Sequence, residues 1–146
     1  MAVRDVLLDT NAYVAFKRRM PNAVDVLTHV QRIGMNSIVL GELLSGFTVG
    51  TREEANRQEL QQFLASERAH QLAIDAEMAA QYAVVYRELR RHGRPIPTND
   101  MWIAASALQH GFVVFSDDGH FHEVLGSMLA HGWTIFWCKR RPHPCC

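Results

Sequence analysis

Four carboxylates, Asp9, Glu42, Asp100 and Asp118, each stand where a strand-like apolar run gives way to a turn or helix. A parallel sheet gathers the carboxyl ends of its strands along one edge, where ligands of open α/β sheets bind. Two carboxylates ~4 Å apart repel by several kcal/mol at an intermediate dielectric. Acids meeting there would therefore take up protons or require a cation. All-oxygen donors suit magnesium or manganese rather than zinc. Such an ion activates water and stabilises charge on a phosphoryl oxygen, with no protein nucleophile required. Singly, each acid has a plainer reading: Asp9 and Asp100 as helix caps, Glu42 as an exposed first-turn acid, and Asp118 as a turn former beside Gly119. It is the set, at corresponding strand ends, that points to chemistry.

The elements that must position these acids follow from the apolar pattern. Val6-Leu7-Leu8 reads as a buried strand ending at Asp9. Asp9-Thr10-Asn11 then caps a helix over Ala12–Arg19, and Pro21 precedes a second helix running to about Ile33, where Gly34 stops it. A strand over Asn36–Leu40 leads through Gly41 to Glu42 and a short helix. Thr51 and Glu54 have capping-box spacing for a helix ending near Ala65. A third strand is expected over Gln71–Ile74. Asp75 then caps a long helix with Met78, Tyr82, Tyr86 and Leu89 on one face. Pro95 and Pro97 hold the next connection out of helix, and Thr98-Asn99-Asp100 opens an alanine-rich helix to about His110. Strands over Phe112–Phe115 and Trp133–Trp137 flank a short helix over Phe121–His131. Three His-Gly pairs (His92-Gly93, His110-Gly111 and His131-Gly132) read as helix ends rather than as acid–base or zinc sites.

Strands alternating with helices imply a three-layer α/β/α fold with a mostly parallel sheet of about five strands. The 146 residues fit one domain, expected over 1–138, with a detachable tail over 139–146. A hydrophobic share of 48% excludes a disordered chain. No apolar run approaches the ~20 residues that span a bilayer. The segment from Met1 to Leu8 lacks the apolar region of a signal peptide, so a cytoplasmic protein with no membrane partner is expected. Fifteen Lys and Arg balance fifteen Asp and Glu, so overall charge does not advertise nucleic acid. Local basic clusters do occur, among them Arg87, Arg90, Arg91 and Arg94. The cysteines Cys138, Cys145 and Cys146 fall in the last nine residues with no recognised zinc spacing, and read as an oxidation-prone tail. A serine nucleophile elbow, a Walker A loop and a dinucleotide fingerprint are all lacking.

Four pieces, in order, resemble the PIN-domain ribonucleases, and especially the VapC toxins of toxin–antitoxin pairs. They are Leu8-Asp9-Thr10-Asn11-Ala12, Gly41-Glu42-Leu43-Leu44, Pro97-Thr98-Asn99-Asp100 with Trp102-Ile103-Ala104-Ala105, and Ser116-Asp117-Asp118-Gly119-His120-Phe121. The match runs from Val6 to Phe136. The resemblance implies a magnesium- or manganese-dependent endoribonuclease that hydrolyses RNA phosphodiester bonds. Asp9 and Asp100 would be the core metal ligands, with Glu42 and Asp118 completing the site directly or through water. Thr10, Asn11, Thr98, Asn99, Ser116 and Asp117 would lie around the acids and orient them. Serine stands at 116 where the family pattern usually has threonine, and Asp117 is an alternative to Asp118 as the fourth acid. The resemblance also implies a homodimer and a VapB-like antitoxin. Arg87, Arg90, Arg91 and Arg94 flank the loop before Asp100 and are candidates for RNA phosphate contact.

Two other classes compete. A phospho-accepting receiver domain also gathers acids at strand ends, but it needs an acidic pair after the first strand, where this chain has Asp9-Thr10-Asn11. A catalytically silent PIN-like binding module would usually have lost an acid, and all four are present.

Overall fold

The computed structural model describes residues 5–91, 93 and 95–116, with the backbone of Trp137 and Cys138. Its elements run β1 (Asp5–Leu8), α1 (Thr10–Lys17), α2 (Pro21–His29), β2 (Arg32–Asn36), α3 (Ser37–Thr48) and α4 (Glu53–Leu64). They continue with β3 (Ala69–Leu72), α5 (Ala76–Arg91), α6 (Thr98–His110), β4 (Val113–Phe115) and β5 (Trp137–Cys138). The five strands pair in the order β3-β2-β1-β4-β5, and every pairing is parallel. The α/β/α fold with a parallel sheet expected from the alternation of elements is therefore observed.

Chain direction explains where a site must form. From β1 the chain steps outward to β2 and then β3, and from β3 it returns across the sheet to β4 on the other side of β1. By the right-handed rule the crossovers of the outward and return legs lie on opposite faces of the sheet, with α3 also in contact with α6. The order thus reverses between β1 and β4, which leaves a crevice beyond their carboxyl ends. Val6, Leu7, Leu8, Val114 and Phe115 are buried in this central pair. Each such side chain contributes about 1.5–3 kcal/mol by leaving water.

Each face carries its own packing. On the outward leg, Tyr13 of α1 meets Phe63 of α4 edge-on with ring centroids 5.3 Å apart, and Phe16 lies 5.7 Å from the same ring. The Tyr13 hydroxyl is buried and has no hydrogen-bond partner among the described residues. Burial pushes its pKa up to about 12, and the charge of Glu59 adds to the effect. On the return leg, Tyr82 of α5 stacks on Trp102 of α6 at 4.2 Å.

Several expected boundaries move, each for a local reason. The second helix ends at His29, and Gly34, expected to stop it, lies inside β2 instead. A Cβ at Gly34 would sit 3.2 Å from Leu7 Cδ1, 3.2 Å from Leu72 Cδ1 and 3.3 Å from Phe112 Cε1, so this glycine lets neighbouring side chains close over the strand. The apolar run Ser37–Leu40, expected as a strand, opens α3 because Asn36 caps it: the Val39 N–H donates to Asn36 Oδ1 at 2.9 Å. The Thr51–Glu54 capping box does not form, since α4 begins at Glu53 after Arg52 with no side-chain cap. The third strand lies at Ala69–Leu72, earlier than expected.

Other local expectations hold. Asp75 accepts the Met78 N–H at 2.9 Å ahead of α5, a bond that holds its carboxyl below the usual range. Gly111 closes α6 with φ +69°, in the left-handed region. Of the other two His-Gly pairs, Gly93 also has positive φ, whereas His92, His131 and Gly132 lie outside the described residues. The helix expected over Phe121–His131 and the tail over 139–146 lie outside them as well. Among the described residues no helix is long and apolar enough to cross a membrane.

Candidate active site

The carboxyl ends of β1 and β4 are joined by the two residues that follow these strands. Asp9 follows β1 and caps α1, its Oδ1 accepting the Ala12 N–H at 2.7 Å. Ser116 follows β4, and its hydroxyl donates to Asp9 Oδ2. The Asp9 N–H also donates to the Phe115 carbonyl at 3.4 Å, which ties the two strand ends together by backbone. Asp9 is 4% exposed and Ser116 1%, so this carboxylate is buried with both oxygens held by fixed donors. A carboxylate oxygen has about two lone-pair sites. On these sites Asp9 accepts from the Ala12 N–H and the Ser116 hydroxyl.

Glu42 arrives differently from the expectation of a residue just past a strand. It lies in the second turn of α3, half-buried, and Thr10 Oγ1 donates to its Oε1 at 3.2 Å. Thr10 is the first residue of α1, so the helix capped by Asp9 also orients the second acid. Asp100 stands in the first turn of α6, half-buried, where the helix dipole favours negative charge. Asp117 and Asp118 lie outside the described residues. Of the residues expected around the acids, Thr10 and Ser116 touch one directly. Asn11, Thr98 and Asn99 are exposed.

Sequence reasoning missed the group that fixes α3 against α6. Asn36, fully buried, donates from Nδ2 to Ser106 Oγ at 2.9 Å and to the Trp102 carbonyl at 3.5 Å. Ser106 in turn donates to the Trp102 carbonyl at 2.9 Å and lies 3.0 Å from Met78 Sδ. One side chain thus ends β2, starts the helix bearing Glu42 and docks it on the helix bearing Asp100. The available signal was Asn36-Ser37 at the end of a strand-like run, a helix-capping pair read instead as the start of a strand.

The arginines before Asp100 divide by partner. Arg87 Nε lies 3.4 Å and Arg91 Nη1 3.7 Å from Glu88 Oε1, and Glu88 is buried. Arg90 Nη1 donates instead to the Tyr86 hydroxyl at 3.2 Å. Tyr86, expected on the apolar face with Met78 and Leu89, is 45% exposed. Arg94 lies outside the described residues.

The PIN-domain model matches residues 6–126, a span that runs from the second residue of β1 past β4 and holds all four acids. The chain belongs to the PIN-domain family. Within that family its likeness is to the VapC-type toxin ribonucleases. It is 27% identical over 121 residues to ribonuclease VapC4 of Mycobacterium tuberculosis, covering 83% of this chain and 92% of that protein. It is 31% identical over 137 residues to the plasmid stability protein StbB of Pseudomonas syringae pv. tomato, covering 88% and 98%. In structure it resembles VapBC2 from Rickettsia felis bound to a promoter DNA fragment, with TM-score 0.76 at 23% identity over 93% of this chain and 98% of that one. That last likeness is one of fold.

PIN-family nucleases are typically metal-dependent. Among the described residues no three His, Cys, Asp or Glu side chains stand close enough together to hold an ion. The donor chemistry nevertheless fits a hard cation: the described acids present only oxygen, and the one at the crevice is already oriented.

Proposed function

We propose that this chain is a magnesium- or manganese-dependent endoribonuclease toxin, hydrolysing RNA phosphodiester bonds and held in check by a VapB-like antitoxin. The observation that carries the reading is Asp9, a buried carboxylate gripped by Ala12 and Ser116 where the strand order reverses. Its support is the family membership and the likeness to VapC ribonucleases. Asp9 and Asp100 would hold the ion, and Glu42 and Asp118 would complete its surroundings. When bound, the ion supplies water activation and neutralises charge on the phosphoryl oxygen under attack. The chain's own part is orientation. Ser116 and the start of α1 fix Asp9, and Thr10 fixes Glu42. Arg87, Arg90, Arg91 and Arg94 would contact RNA phosphates, and the working unit would be a cytoplasmic homodimer.

The test is cleavage of total RNA by purified protein with manganese, with the ends mapped. Asp9→Asn and Asp100→Asn should abolish cleavage with circular dichroism unchanged. Normal cutting by either variant would remove its assignment as a ligand. Calorimetric titration with manganese in the absence of antitoxin separates the nuclease from a silent binding module, which would take up no metal.

A further inference from the structure

The last turns of α5 combine three features that an ordinary solvated helix face does not need together. Tyr86 is one of two exposed large apolar side chains among the described residues, the other being Val49. Its hydroxyl accepts from Arg90 Nη1 one turn along the helix. Arg90 has no carboxylate partner among the described residues, while Arg87 and Arg91 share the single carboxylate of Glu88. Positive charge is therefore in excess around the one exposed ring of this helix.

Geometry keeps that ring open. Helical side chains lean toward the N-terminus, so Tyr86 extends over the turn containing Ala83, which is exposed and too small to cover an aromatic face. Arg90 leans the same way and reaches the ring at its hydroxyl. Of its five guanidinium N–H donors, only one bonds a partner among the described residues. The helix ends at Arg91, seven residues before α6, whose first turn carries Asp100. An aromatic face beside a guanidinium is the chemistry by which proteins hold single-stranded nucleic acid. The base stacks, the cation meets the neighbouring phosphate, and a duplex, with its bases already stacked, gains nothing from the ring.

We propose that Tyr86 and Arg90 form a nucleotide platform on which an unpaired RNA base stacks against the tyrosine ring while Arg90 meets the adjoining phosphate. The proposal rests on the ribonuclease reading above only for the ligand being RNA.

The experiment is a fluorescence-anisotropy titration in EDTA, with the RNA checked intact on a gel. It compares a short unstructured oligoribonucleotide with a duplex of the same sequence. The wild-type chain should prefer the single strand. Tyr86→Ala should weaken single-strand binding by roughly 5- to 150-fold and leave duplex binding unchanged. Tyr86→Phe, which keeps the ring, should restore most of the affinity. Arg90→Ala should lower the slope of log K against log salt by about one. Val49→Ser should bind as wild type. Equal binding of both RNAs by wild type, no binding at all, or a Tyr86→Ala variant that binds as wild type overturns the platform. Loss of Tyr86 dependence with cleavage intact removes the platform and keeps the nuclease. Tyr86-dependent binding by a chain that never cuts RNA does the reverse.

Discussion

The Ser116 hydroxyl donates to Asp9 Oδ2 across the junction of β4 and β1, so the carboxylate after one strand is aimed by the residue after its neighbour. Removing that donor leaves Asp9 buried but less constrained. Ser116→Ala should lower RNA cleavage about 10- to 100-fold, the usual loss when a group orienting a metal ligand is removed. Ser116→Thr, which keeps the hydroxyl, should retain most activity. Cleavage rates measured at saturating manganese give the comparison, and full activity in Ser116→Ala would show that the bond orients nothing of consequence.

Asp9 caps α1 and, on the proposed reading, holds the ion, and substitution can separate the two. Asparagine is as good an N-cap as aspartate, so Asp9→Asn should keep α1 and lose cleavage. Asp9→Ala should lose cleavage and, in addition, about 1 kcal/mol of stability from the missing cap to the Ala12 N–H. Urea unfolding of the two variants beside wild type reads the difference. Equal stability for alanine and asparagine would mean that the cap contributes little.

Asn36→Ala should be more damaging than its distance from the acids suggests. It removes the cap of α3 and the hydrogen bond to Ser106 inside the core. The combined cost should be about 2–3 kcal/mol. Because α3 carries Glu42, cleavage should fall as well, and the midpoint of urea unfolding should drop without a change in slope.

Tyr13 sets an alkaline limit on stability. Below its ordinary value of 10.0 the phenol is protonated in both states, so it adds no pH dependence. Between 10.0 and about 12 the unfolded chain releases the proton and the folded chain retains it. The unfolded state then binds fewer protons, and stability falls as pH rises through this window. Tyr13→Phe should flatten that decline. At neutral pH it should leave stability unchanged or raise it by up to about 1 kcal/mol, since it removes a buried hydroxyl that has no partner among the described residues. Thermal melts at pH 7, 10 and 11 check both statements, and a steeper alkaline decline in the variant would contradict them.

The parts of this molecule legible in the sequence were those governed by local rules. Val6-Leu7-Leu8 followed by Asp9 gave strand and cap together, and Gly111 closed α6 as a left-handed glycine should. Ambiguity arose where an apolar run suits either helix or strand. Ser37–Leu40 became helix because Asn36 caps it while also bonding Ser106 of α6, a contact between distant segments that periodicity does not encode. Gly34 was misread for a related reason: its lack of a side chain matters because Leu7, Leu72 and Phe112 close over it. Tyr86 shares helical spacing with Met78 and Leu89, yet it lies on the solvent side. The order of the four acids was visible, and so were Thr10 and Ser116 among the residues expected to orient them; which acid each one aims was not.

The strand order has a temporal consequence for a chain made from its N-terminus. Until residues 113–116 have been synthesised, β1 is an edge strand and Asp9 lacks its second grip, because Ser116 lies 107 positions downstream. The early α1 to α4 segment can collapse on β1, β2 and β3, but the crevice has only one wall. On the proposed reading, a nuclease built this way is inert on the ribosome until almost all of its described fold exists, which gives an inhibitor a window before the first cut.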